Sequence, residues 1–283
     1  MSETVSPPQQ EPPLQRVARW RTHRVARGWK VAWRLADRWR LTRDAFRWLA
    51  WLAFARPTVG RSGVARELEV LGLGALRLVM SASILVGLIA TFQIAYQLHA
   101  FSAEAVSARA VGWFAAREIG PLSVALLVIA RSSSAIAGEL ASMTANAEVD
   151  ALRAMALDPI KYLVAPKLAA MLLALPSLTI IADAVIPLGG WIGNTMFLGF
   201  STNYFLGQFR DAFAVRDLFV GLGKSVLFAL VIVLVAADEG LSVERSVGSI
   251  GGAATRAVVW GLLGVLATDT LVNAVFYFIP GFI

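Results

Sequence analysis

The sequence contains no cysteine. Disulfides, thiol nucleophiles and thiolate metal ligands are therefore excluded. Histidine is nearly as scarce, with only His23 and His99, too few for a histidine-based metal centre. Charge is sparse too: 16% of the 283 residues are Asp, Glu, Lys or Arg, against about a quarter in a soluble domain. No Ser-His-Asp set, metal cluster or paired-carboxylate site stands out, which argues against an enzyme in its own right. What is abundant is apolar: 57% of residues are hydrophobic, and several runs exceed the roughly 18 residues that mark a membrane span. The expected fold class is an all-α polytopic membrane protein.

The net charge of +7 sits almost wholly at one end. Residues 14–56 carry eleven Arg and one Lys against Asp37 and Asp44, so the remainder of the chain is slightly acidic. Ahead of this arm, MSETVSPPQQEPP is polar and Pro-rich and is expected to be disordered; no short apolar region with a small-residue cleavage site follows it. The arm also holds six of the nine Trp: Trp20, Trp29, Trp33, Trp39, Trp48 and Trp51. Leu41, Ala45, Trp48, Leu49 and Leu52 share a helical face, with Arg40, Arg43 and Arg47 off it. Arg suits lipid phosphate and indole suits the boundary layer, so the arm, 14–64, reads as an interfacial helix too short to span. A solvated basic tail is the plainer alternative. A nucleic-acid arm is the third, without any accompanying recognition motif.

Five spans are expected near 78–98, 119–138, 168–190, 218–237 and 257–279. Lys and Arg orient them: twenty lie in segments on one side and four on the other, which puts the N-terminus in the cytoplasm and the C-terminus outside. Without residues 1–77 the margin is five to four, so the arm carries this assignment. Residues 191–210, WIGNTMFLGFSTNYFLGQFR, are apolar but broken by Gly, Asn and Ser. They suit a re-entrant or surface hairpin better than a sixth span. Small residues at every fourth position of the second span (Ala130, Ser134, Gly138, Ser142) suit close helix packing.

Ionisable groups at membrane depth are costly and mark function by default. Arg117-Glu118 opens the second span, Arg131 lies within it, Asp183 lies in the third, Lys224 in the fourth and Asp269 in the fifth. Each could merely pair with a neighbouring helix or reach a headgroup. Arg117, Glu118 and Lys224 all fall near the outer ends of their helices and could line a polar mouth for an amphiphile with a charged head. The GLGKS run at 221–225 is not a phosphate-binding loop: the required first glycine would be Leu218, and no strand precedes it. If ATP is used, another subunit binds it.

The segment 144–167, TANAEVDALRAMALDPIKYLVAPK, lies between the second and third spans on the cytoplasmic side. Asn146 is expected to cap a helix, with Glu148 and Asp150 in its first turn. Leu152, Met155 and Ala156 form its apolar stripe, and Asp158-Pro159 ends it. Such a helix either rests on the membrane surface or is the grip by which a soluble motor moves the spans.

At this point the chain resembles the MlaE/YrbE permeases of MCE-associated ABC lipid transporters. The resemblance rests on REIGP at 117–121, ARSSSAIAGELASM at 130–143 and AEVDALRAMALDPIKYLVAPK at 147–167. LPSLTIIADAVIPLGG at 175–190, GLGKSVLF at 221–228 and GGAATRAVV at 251–259 extend it over about residues 65–280. The chain departs from the family pattern at Ala130 and Ser133, where glycine is usual, at Ala147 in place of glutamate, at Ala156 in the Met-Gly pair and at Lys167 in the Pro-Arg pair. One threonine of the Ala-Thr-Thr run is also missing, in Ala253-Ala254-Thr255.

The resemblance implies a permease domain at 65–283 in the bacterial inner membrane, working as one half of a homodimer and performing no chemistry itself. A cytoplasmic ABC ATPase would bind the ATP and dock on the loop helix, touching Glu148, Asp150, Leu152, Arg153, Met155, Ala156 and Asp158. A periplasmic MCE-domain ring, hexameric in such systems, would cover the outer face. Lipid, usually phospholipid, would occupy a cavity between the two copies, with its headgroup near Arg117, Glu118 and Lys224. The rival readings are an ion-coupled secondary carrier using Asp183 or Asp269, and a non-transporting membrane scaffold whose basic arm recruits a partner.

Overall fold

A computed structural model describes residues 58–278, apart from 100–106, 213 and 244–248, together with 43, 44 and 47. The chain divides into two compact units, Met1–Asp44 and Ala45–Ile283. Within the first, only Arg43 and Asp44 are described, joined by an exposed ion pair of 3.3 Å. The expected disordered stretch 1–13 and most of the basic arm, with its interfacial helix, lie outside the described residues. All that follows concerns the second unit.

Among the described residues every regular element is helical and there is no strand. Five helices are long and apolar enough to cross a membrane: Gly63–His99, Arg109–Ala145, Ile160–Phe197, Val215–Leu241 and Ser249–Phe278. Each expected span falls within the matching helix, the last but for residue 279. The helices are longer than the expected spans because hydropathy marks only the hydrocarbon crossing of about 30 Å, whereas the 37 residues of the first helix reach roughly 55 Å. This chain is a multi-pass membrane protein.

Trp191–Phe197 is not the first arm of a separate hairpin, as the broken composition suggested, but the last two turns of the third span. Asn194 stays satisfied there because its amide donates to the Gly190 carbonyl at 3.0 Å and its oxygen accepts from Ser107 at 2.8 Å. The chain then turns at Gly199, whose φ of +73° suits a residue without a Cβ. It continues as a short amphipathic helix, Thr202–Ala212, which buries Phe205 and lays Phe209 against Gly112.

The third span is the centre of the fold and packs on the first, second and fourth. Its crossing with the first span is a backbone contact. A Cβ on Gly87 would land on the Ile186 carbonyl oxygen, and one on Gly189 would land on the Ile84 carbonyl oxygen. Lipid tails are as apolar as leucine, so helix association in a bilayer relies on such close van der Waals approach. The core around this crossing is built from Val79, Val128, Ile136, Leu168, Met171, Ile186, Phe228 and Ile232. Leu85, Ile89, Leu173, Leu188, Phe219 and Leu271 stay exposed, as side chains that face lipid do.

Within the single chain described, the small-residue stripe of the second span is not the packed face. Ala130 is exposed, and a Cβ on Gly138 would meet nothing within 4 Å. The close contacts to the fourth and fifth spans come instead from the neighbouring face, where Ala137 and Leu140 meet Gly240 and Ile129 meets Gly261.

Candidate functional site

Two prolines help explain where the unusual side chains sit. Pro121 and Pro166 each lie near the start of a regular helical segment. Proline lacks an N–H and crowds the carbonyl four residues earlier, and a widened π turn relieves that clash. Such turns occur directly upstream, at Ala115–Ile119 and Ile160–Val164. The first carries Arg117 and Glu118. A further π turn, Ile129–Ser133, carries Arg131.

Glu118, Lys224 and Asp269 lie at one depth, each nine positions from the same end of its helix at Arg109, Val215 and Phe278, or roughly 14 Å along it. There they form one network. The Lys224 ammonium is 1% exposed. It donates to Glu118 and, at 2.8 Å, to the Asn273 side-chain oxygen, and it lies 2.9 Å from an Asp269 oxygen. The Asn273 amide donates in turn to Glu118 at 3.1 Å and to Asp269 at 3.3 Å. Asp269 is thus accounted for by a cross-helix pair.

Arg117 does not join this hydrogen-bonded group. Successive residues on a helix diverge by about 100°, and Arg117 points instead to Asp217 at 3.4 Å. Its guanidinium also lies 5.5 Å from the Trp113 ring and 6.0 Å from the Phe276 ring, within cation–π range. Asp217 and Asn273 were missed from sequence. Asn273 could have been found, since it stands one helical turn from Asp269 on the same face.

Beside the network a groove of about 670 Å³ runs between the fourth and fifth spans. Phe219, Val220, Leu227, Val272 and Phe276 line its walls, with Lys224 and Arg216 as its cations. Lys224 is buried and Arg216 is exposed.

The other intramembrane charges stay apart from this site. Arg131 donates to the Val70 carbonyl at 3.0 Å, and its guanidinium occupies the space a Cβ on Gly74 would need. Asp183 is 6% exposed, and neither of its oxygens has a hydrogen-bond partner among the described residues. It is pressed against Gly120, where a Cβ would collide with the carboxylate.

The loop helix exists but is shorter than expected, at Glu148–Ala154. Asn146 does not cap it: it ends the preceding helix with φ −83° and ψ 7°, and Ala147 enters the loop helix at φ 60°. Nor does Asp158-Pro159 end it. The helix stops at Met155, and Asp158 instead starts the third span, accepting the Ile160 N–H at 3.0 Å. The inward-facing residue is Val149, with Leu152 half-buried. Glu148, Arg153, Met155 and Ala156 are exposed, with Met155 at 61%. Asp150 and Arg153 pair at 3.3 Å on the open face. Ala156 has φ 58°, a conformation costing a non-glycine residue roughly 1–2 kcal/mol. Ala156→Gly should therefore raise stability by about 0.5–1 kcal/mol, less than the full relief because glycine also loosens the unfolded chain. Denaturant unfolding of the two chains checks this, and equal midpoints would refute it.

The sequence model of the family described as Permease MlaE matches residues 64–275. A probable ABC transporter permease protein of Rickettsia prowazekii is 29% identical over 232 residues, covering 82% of this chain and 90% of the relative. A second protein of that description, ycf63 of Pyropia yezoensis, is 29% identical over 76% of this chain and 82% of its own length. The intermembrane phospholipid transport system permease protein MlaE of Haemophilus influenzae is 28% identical, again over 76% of this chain and 82% of its own.

Proposed function

This chain belongs to the MlaE permease family, and from that premise we propose that it is the membrane subunit of an ATP-driven ABC transporter that moves lipids, phospholipids foremost. The observation that carries the substrate class is the groove between the fourth and fifth spans. Its walls are apolar and its cations are Lys224 and Arg216, the complement of an amphiphile with an anionic head. In the described conformation Lys224 is fully engaged, so a headgroup phosphate would take the place of a carboxylate on the ammonium. The Haemophilus relative, named as a phospholipid transport permease, supports the same class.

In this reading the chain binds no nucleotide and catalyses no reaction. A cytoplasmic ABC ATPase binds the ATP and grips the loop helix, where Glu148, Ala151, Arg153 and Met155 are exposed together. Two copies of the chain pair in the bacterial inner membrane, and a periplasmic MCE-domain ring receives or delivers the lipid. The loop-helix end faces the cytoplasm and the C-terminus faces the periplasm. The permease domain is 65–283, and the basic, Trp-rich arm at 14–64 lies in the headgroup layer. Hydrolysis at the partner alternates the shape of the cavity.

Met155→Asp tests the grip without touching the fold, because that side chain is largely exposed. Lipid transfer per ATP hydrolysed should fall about tenfold, the size of a typical coupling energy, with insertion unchanged. Wild-type transfer in proteoliposomes would sink the motor-coupled role. Lys224→Ala combined with Arg216→Ala addresses the substrate: mass spectrometry of the purified complex should find less bound phospholipid, and full occupancy would reject the groove.

A further inference from the structure

At the loop-helix end of the third span, Lys167 is 2% exposed. Its ammonium donates to two carboxylates from different helices: Glu67 of the first span at 2.9 Å and Glu139 of the second at 2.7 Å. Glu139 lies six residues before the second span ends at Ala145, and Lys167 lies seven after the third begins at Ile160. The pair therefore joins the two stems of the loop helix, and Glu67 ties that joint to the first span. A buried ammonium with two acceptors resists separation, because a partner withdrawn from it leaves an uncompensated charge at low dielectric.

We propose that Lys167 is a positioning residue of the transport cycle. It makes the loop helix and the first three spans one mechanical body, so that force applied to the loop reaches the first span and not only the two helices the loop connects. This rests on the ATP-driven reading, but the mechanical link can be tested apart from it. A second ion pair, Arg256 to Glu239 at 2.7 Å, joins the fifth span to the fourth at the same end. At this end the ion pairs tie the first three spans to one another and the fourth to the fifth, while nearer the other end Glu118 to Lys224 and Arg117 to Asp217 tie the second span to the fourth.

Because the chain has no cysteine, Ala65→Cys and Ala154→Cys, both at exposed positions, place two spin labels without background. The experiment uses the full chain in lipid nanodiscs, diluted with unlabelled chain, and double electron–electron resonance reads the distance between the first span and the loop helix. Lys167→Met should broaden that distribution at least about twofold, and Lys167→Arg, which keeps a cation able to pair with both carboxylates, should restore it. An unchanged width overturns the proposal. If Lys167→Met does not insert, Glu67→Gln decides, since it cuts only the tie to the first span: broadening supports the proposal and wild-type width refutes it. In the reconstituted transporter, Lys167→Met should hydrolyse ATP yet move about tenfold less lipid per ATP, with rescue by Lys167→Arg; an unaltered ratio also counts against the proposal. A wild-type complex that moves no lipid with ATP would instead defeat the transport reading, while the resonance experiment still decides the role of Lys167.

Discussion

Replacing Lys224 by methionine should cost the protein about 3–5 kcal/mol of stability, the range found when one partner of a buried ion pair is removed. Methionine keeps most of the lysine stem's volume, so packing changes little and the effect reports charge. Without the ammonium, Glu118 and Asp269 remain at the same depth on facing helices with only the Asn273 amide between them. Their repulsion is no longer offset by the ammonium. Unfolding by detergent titration in mixed micelles gives the measurement. The chemistry also predicts a partial rescue: Glu118→Gln together with Asp269→Asn, added to Lys224→Met, should recover much of the loss. A lysine variant as stable as the original would show that the network contributes nothing. A triple variant no better than the single would show that lost packing, not charge, was responsible.

The sequence made the five spans legible because a bilayer imposes one dominant rule, about 20 apolar residues per crossing. It did not make partners legible. Lys224 meets Glu118 across 106 positions and Arg117 meets Asp217 across 100, and depth along a helix says nothing about which way a side chain faces. Arg117 shares the depth of Glu118 and Lys224 but, one residue from Glu118, it faces another way and pairs with Asp217. Lys167 was overlooked for the opposite reason. It reads as an ordinary basic residue at a loop's end, and only the approach of Glu67 and Glu139 makes it a buried hub.

The loop helix shows a different limit. Leu152, Met155 and Ala156 have helical spacing, but Ala156 adopts φ 58°, so the helix stops before the stripe is complete and Met155 is left exposed. Asn146 and Asp158-Pro159 are good cap and stop signals in isolation. Each serves the neighbouring element instead, Asn146 ending the second span and Asp158 opening the third. Local propensity named the right residues for helix ends and assigned them to the wrong helix. The match to the family model runs over residues 64–275 and does not depend on any one of these boundaries.

The second large effect is expected at the crossing of the first and third spans. Gly189→Val should destabilise the chain by about 3 kcal/mol or more, at or above the upper end of typical overpacking costs, because the new Cβ would fall on the Ile84 carbonyl oxygen. That atom belongs to a helix backbone and cannot rotate away as a side chain would. Gly87 presses the Ile186 carbonyl in the same way one turn along, so the two helices can separate only as units. Separation would loosen Thr91, whose hydroxyl donates to the Gly87 carbonyl at 3.0 Å and approaches the Gly190 carbonyl at 3.4 Å. Gly87→Val should act alike, and the double variant should cost less than the sum of the singles, because once the crossing has opened the second Cβ meets no further obstacle. Gly138→Val in the second span is the control: beyond its own helix backbone no atom lies within 4 Å of its Cβ position, so the isolated chain should unfold as the original does. Equal loss at Gly138 and Gly189 would mean that membrane-helix glycines matter here for backbone flexibility. A large loss at Gly189 alone would locate the effect in the contact with Ile84, through which the central third span holds the first.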